Sequence, residues 1–328
     1  MNTGQHTAFG DRPAIAGQGG THSDRARPQS ARELTSAHLN IERAEFERHF
    51  DREPFAFTHN LHALDAFGFD SLTALARKYA GHPRDFFVSA SAPAADSDFF
   101  SVPHGHHPLE EAMARLDSSA VRVLLKRPED HDPRFRAILD RLFAQVLDLR
   151  GGLRGEKLVR LESAVFITSA SATTPFHFDP EIAFFSQIEG EKIYHMYAPA
   201  VLGEPELEKF YLQGLVSIGQ VPLHGRDPRH EHVFALRPGK GMHQPQNSPH
   251  WVETRAERSI SYSFVFETDA TRAAGRTRAF NYYLRKVGLE PQHPGAHPAR
   301  DAFKAGSMRA LIPIRRRAGQ LLKKLRHG

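Results

Sequence analysis

Residues 158–168, 182–188, 192–197 and 260–266 are short runs rich in β-branched and aromatic side chains, punctuated by turn signals such as Glu189-Gly190-Glu191. Runs this short and this closely spaced predict antiparallel strands folded into a sandwich or barrel with a pocket between strands. His177-Phe178-Asp179 lies inside that stretch. Successive strand side chains point to opposite faces, so residues 177 and 179 share a face and reach one cation from neighbouring coordination positions.

Two other His-x-Asp triplets exist, His22-Ser23-Asp24 and His49-Phe50-Asp51. The first lies in a polar Gly, Ser and Arg stretch, the second in a charged helical pattern where i and i+2 diverge, so neither chelates easily. A third ligand for the 177/179 pair is expected from Pro249-His250-Trp251, where His250 opens a strand-like run after a Gly- and Pro-rich bend. His243 is its rival. Two imidazoles and one carboxylate with open positions left over is the donor set of non-haem Fe(II) oxygenases.

The block Thr174-Pro175, His177, Asp179, Phe184-Phe185, Gln187-Ile188, Gly190 and Lys192, followed by Pro238-Gly239, Pro245 and His250, resembles the two metal-binding segments of the JmjC/cupin-like Fe(II) and 2-oxoglutarate-dependent dioxygenases. The resemblance is particularly to the branch near the asparaginyl hydroxylase factor inhibiting HIF. The match is specific over about a quarter of the chain. It is looser from Phe55 onward, where residues 54–61 resemble the helical lead-in of bacterial cupin-like proteins.

The resemblance implies a mainly β fold with helical additions around a double-stranded β-helix (cupin or jelly-roll) core. It also implies Fe(II) on His177, Asp179 and His250, with His243 at a non-ligand position. The cosubstrate 2-oxoglutarate would meet Lys192 and Thr174, and hydroxylation of a C–H bond in a protein side chain or small molecule would follow. On residue type alone, Lys192 reads as a solvated lysine after a turn and Thr174 as an ordinary residue before proline. Tyr194 shares the Lys192 face, and Trp251 points to the opposite face as core. One departure stands out: Ala183 occupies a position where the hydroxylase has an asparagine beside the cosubstrate. That favours an alternative, a non-oxidative metal-binding cupin with a sensing or regulatory role.

Other chemistries leave no motif. The chain has no cysteine, which excludes iron–sulfur clusters, thiolate zinc sites and disulfides. No nucleophile elbow, phosphate loop or dinucleotide fingerprint is present; Gly151-Gly152 reads as a helix-to-strand turn. The histidines 104, 106 and 107, and 224, 230 and 232, fall among Pro, Gly and Arg and read as loops that bind metal only adventitiously.

The organisation expected is a disordered segment at 1–38, a JmjC/cupin-like domain with a helical lead-in at 39–270, and a helical extension with a basic tail at 271–328. Helices are expected over 71–79, 133–143 and 271–287, with a strand at 121–126. Residues 302–328 hold eight Lys or Arg and no acid, so the other 301 residues, with 35 basic against 38 acidic, carry a net −3. The tail offers contact with an anionic surface, although Pro313 and Gly319 weaken a helix there. Dimerisation through C-terminal helices is another option. No secretory signal and no transmembrane segment are seen, so cytoplasm is the default location.

Overall fold

The computed structural model describes residues 36–92, 94–102, 108–214 and 218–327, with side chains as far as residue 314. The disorder expected over most of 1–38, the triplet at 22–24 and the histidines at 104–107 lie outside the described residues, as do the tail side chains beyond 314. Twelve strands are described: β1 (Leu39–Asn40), β2 (Phe55–His59), β3 (Phe86–Ala90), β4 (Val121–Lys126), β5 (Leu158–Thr168), β6 (Thr173–Phe178), β7 (Ile182–Glu189), β8 (Lys192–Tyr197), β9 (Glu231–Leu236), β10 (Lys240–Gln244), β11 (Pro249–Thr254) and β12 (Ser259–Thr268).

They form two antiparallel sheets, ordered β1-β2-β10-β7-β12-β5-β4-β3 and β6-β11-β8-β9. From β5 to β12 the chain winds between the two sheets. β5, β12, β7 and β10 adjoin one another in the large sheet, and β6, β11, β8 and β9 make the small one. This is the double-stranded β-helix, or jelly-roll. Residues 121–126 are the expected strand, and with β3 they extend the large sheet beyond the jelly-roll.

Both faces of the large sheet are buried where β7 and β12 run through it, which is why β7 reads as a near-continuous apolar run rather than an alternation. Ile182, Phe184 and Ile188 face a helical layer together with Tyr262, Phe264 and Phe266 of β12. Phe184 and Phe264 stack at 5.2 Å and 9°. The alternate residue Phe185 faces inward with Tyr194, Met196 and Val252 of the small sheet. Each such fully buried aromatic contributes about 1.5–3 kcal/mol of transfer free energy.

The helix Pro133–Arg150 starts with Pro133 at its first position, and the Asp132 carboxylate accepts from the Arg134 N–H at 2.9 Å. It ends at Gly151, in the left-handed conformation at φ 75, as the paired glycines predict. The helix expected from Ser71 runs over Phe69–Lys78, starting after Gly68.

Two expectations need correction, and one helix is new. Residues 55–59 are not a helical lead-in but β2, paired with β10; Phe55 and Phe57 are buried with Ala56 exposed between them, a two-residue period that suits a strand. The helix Glu204–Tyr211, between β8 and β9, was not expected; its Leu207 and Phe210 pack on Phe176 and Phe178 outside the small sheet. The helix Pro298–His327 runs through Pro313. Its buried Ala305 and Met308, and a 2.7 Å bond from Lys304 Nζ to Asn281 Oδ1, dock it on the helix Asp269–Lys286, so packing outweighs local propensity. Among the described residues no helix is long and apolar enough to cross a membrane.

Candidate metal centre

β6 and β11 are neighbours in register, with His177 opposite His250, so two imidazoles far apart in sequence meet on one inner face. Asp179 follows directly after β6 and turns back to both. His177 Nε2 lies 4.0 Å from Asp179 Oδ1, and His250 Nε2 lies 3.7 Å from Asp179 Oδ2. The ligand atoms of all three lie within 4.8 Å of one another, and no other such group occurs among the described residues.

Hydrogen bonding fixes which nitrogen of each ring faces the centre. His177 Nδ1 donates to Pro175 O at 2.6 Å and His250 Nδ1 to Ser248 O at 3.0 Å. A carbonyl oxygen only accepts, so each Nδ1 carries the proton and each Nε2 offers a lone pair inward. Burial holds both rings below the usual imidazole range, aided at His177 by the His250 charge; neutral rings are the form that binds a metal. The Asp179 carboxyl is pushed up by burial, against the downward pull of His250 and Gln244. Two neutral imidazoles and a desolvated carboxylate aimed at one point fit a divalent cation, whose charge would offset the cost of that burial.

Gln244 was missed by the sequence reading. Its Nε2 donates to Asp179 Oδ2 at 3.1 Å, fixing the carboxylate's rotation. Its partner across the ladder is Ala183, so an amide does stand beside the position where the expected asparagine is absent. The turn between β10 and β11 is tied down as well. Asn247, at φ 63, gives its N–H to Asp179 O at 2.9 Å and accepts from the Tyr211 hydroxyl at 2.7 Å.

His243 lies on the other face of β10. Its ring stacks at 5.2 Å on Phe50 and packs 4.8 Å from Phe184, its Nδ1 donates to Ala183 O at 3.1 Å, and its Nε2 accepts the Asp51 N–H at 3.0 Å. Asp51 in turn receives the Gln246 N–H at 2.7 Å. Burial raises the Asp51 carboxyl to about 6 from 3.8. A raised folded-state pKa gives stability that is complete below about 4 and lost as pH rises through about 6. Asp51→Asn keeps the acceptor without the charge, so it is expected to melt several degrees above wild type at pH 8 and alongside it at pH 4, as thermal unfolding at the two pH values would show.

The cavity between the sheets opens beside the three ligands. Lys192 and Thr174, predicted from the sequence, both line it, together with Tyr194, Phe185 and Arg122. The Tyr194 ring stacks on His250 at 5.2 Å. Lys192 is 5% exposed, and its Nζ sits 5.6 Å from the Phe185 ring centroid and 5.9 Å from that of Phe166. Burial and then the Arg122 charge pull the ammonium down to about 7. Trp251 faces away, as expected, and stacks on His195 at 3.8 Å. His230 ends a short 3-10 turn and His232 sits in β9, 3.4 Å from Glu53, so neither belongs to an irregular loop.

No protein-family model matches the sequence, and no curated protein does. Among solved structures, Escherichia coli YcfD is similar at 18% identity over 84% of this chain and 69% of that chain, with a TM-score of 0.49. YcfD described as a ribosomal oxygenase in complex with cobalt and 2-oxoglutarate is similar at 18% identity, over 84% of this chain and 68% of that chain, TM-score 0.47. The DMSP lyase DddQ from Ruegeria pomeroyi is similar over only 33% of this chain and 38% of that chain, at 17% identity and a TM-score of 0.22. These likenesses are weak, and the site stands on its own geometry.

Proposed function

We propose that the chain is an Fe(II)- and 2-oxoglutarate-dependent oxygenase that hydroxylates a C–H bond of a protein side chain or a small molecule. The iron would be held by His177, Asp179 and His250. The observation that carries this reading is the open-sided trio of two inward Nε2 lone pairs and one carboxylate, set beside a cavity that also holds a buried ammonium. When bound, the iron and its cosubstrate supply the oxidising chemistry.

The residues of the chain do the rest. Gln244 and the two carbonyl-bound Nδ1 atoms orient the ligands. Thr174 and Lys192 receive the cosubstrate's far carboxylate, and the aromatic walls limit water around the reacting atoms. Residues 39–270 would form the catalytic body and 271–328 the helical extension with its basic tail; dimerisation through that extension and contact of the tail with an anionic surface belong to this proposal, as does a cytoplasmic setting. Assignment to the branch near the asparaginyl hydroxylase rests on the sequence block alone.

Anaerobic titration of the iron-loaded protein with 2-oxoglutarate tests the reading. A weak visible charge-transfer band is expected in wild type and none in Lys192→Ala at the same concentrations. An anion needs the protonated lysine, so affinity is expected to fall as pH rises above about 7, by up to about tenfold per pH unit. Wild-type protein that binds the metal and never develops the band would favour the non-oxidative cupin.

A further inference from the structure

Arg122 was no part of the expected site, yet its side chain lines the same cavity as Lys192. It arrives from the opposite sheet. On β4 it pairs with Thr168 of β5, while Lys192 on β8 pairs with Thr254 of β11. The Thr168 and Thr254 hydroxyl oxygens are 3.2 Å apart. Directly opposed residues of an antiparallel pair share a face, so the two cations flank one threonine bridge at one end of the cavity. The metal trio lies toward the other end. Lys192 is four residues along β8 from Met196, the partner of His250, which is about 13 Å of strand.

Among the described residues no acid pairs with Arg122 or Lys192. Asp179 is the one carboxylate among the described residues lining the cavity, and it belongs to the trio. Lys126 also lines the cavity, but it feels Asp85 and Glu162. The buried Arg122 Nε has no hydrogen-bond partner among the described residues. Burial lowers the Arg122 guanidinium to about 10, and Tyr194, raised well above its usual range by burial, stays a neutral phenol that cannot balance it. A desolvated cation without a counterion is costly, and a fold that keeps two of them side by side has left room for an anion to complete them.

We propose that Arg122 and Lys192 form a two-cation clamp for the far carboxylate of a short dicarboxylic 2-oxoacid. Arg122 thereby makes the pocket selective for a dianion over a 2-oxoacid of equal length with an uncharged end. This rests on the oxygenase reading, with Arg122 as a specificity-determining residue. Its planar fork matches a carboxylate in two-point fashion, whereas the ammonium acts as a point charge.

The test is calorimetric titration of the Mn(II)-loaded full chain with 2-oxoglutarate and with 2-oxopentanoate, in wild type, Arg122→Met, Arg122→Gln and Lys192→Met. Wild type is expected to prefer the dicarboxylate strongly. Arg122→Met is expected to weaken 2-oxoglutarate about tenfold to hundredfold and to change 2-oxopentanoate by less than about twofold. The ligand-free Arg122→Met protein is expected to melt at or above wild type, since a buried unpaired charge is gone; a merely structural arginine would lower the melting temperature and leave the preference intact. Arg122→Gln reads the same two constants should the methionine variant fail to fold. Unchanged 2-oxoglutarate affinity in both Arg122 variants, with Lys192→Met impaired, overturns the clamp and leaves the oxygenase reading standing. Wild type that binds neither acid overturns both.

Discussion

Replacing His250 with alanine is expected to weaken divalent-metal binding at least thousandfold, a loss of about 4 kcal/mol, whereas His243→Ala keeps wild-type metal affinity. Both residues are buried histidines, 2% and 0% exposed, so each substitution leaves a comparable cavity and each costs stability. They differ in where the ring points. His250 Nε2 faces Asp179, and His243 Nε2 is spent on the Asp51 N–H. Metal competition against a chromogenic chelator, at a temperature where both variants are folded, separates loss of a ligand from loss of packing. Stoichiometric tight binding in His250→Ala would remove the basis of the proposed function, because His177 and Asp179 alone leave a two-point site of a kind found on many surfaces. Weak residual binding through His224, His230 or His232 would be recognisable by its insensitivity to both substitutions.

Much of the trio was legible because the physics that places it is local. The i, i+2 spacing of His177 and Asp179 keeps the two side by side at the end of β6, and the turn-rich stretch before His250 announces a new strand that starts near it. Choosing His250 over His243 from residues alone was harder, since it depends on register. β10 presents Met242 and Gln244 inward and His243 outward, and the turn through Asn247 resets which residues face the cavity. A shift of one residue would have exchanged the two histidines.

Arg122 was invisible for a different reason. Val121-Arg122-Val123-Leu124-Leu125-Lys126 reads as a strand with charged residues toward water, as alternating strands usually are. Its far side is nonetheless packed on the helical layer while the charged side closes a cavity, which depends on the opposing sheet and on no feature within six residues. The helix Glu204–Tyr211 escaped notice because its apolar content, Leu207 and Phe210, is too sparse over eight residues to show a helical period.

The largest stability loss is expected from a cluster that touches no ligand. Arg160 on β5 lies 2.6 Å from Glu181, 3.3 Å from Glu162 and 3.6 Å from Glu267, and Glu181 is only 1% exposed. Burial raises the Glu181 carboxyl well above its usual range and raises Glu162 too, with Arg160 pulling both back down. Arg160→Met removes that pull and leaves three glutamates crowded in a desolvated site, with Arg272 2.8 Å from Glu267 near only one of them. Breaking a buried ion pair from one side costs about 3–5 kcal/mol, and urea unfolding at pH 8 is expected to show a loss of that order. The sign with pH follows from the raised carboxyls: they bind protons more tightly folded than unfolded, so the deficit is smallest in mild acid and grows as pH rises. A deficit equal at pH 5 and pH 8 would mean that Arg160 contributes packing and not charge. Asp179 also feels the arginine, as the weakest of the influences that lower its carboxyl. Metal affinity of the folded variant is therefore expected to move far less than its stability, which separates the scaffold behind the site from the ligands that form it.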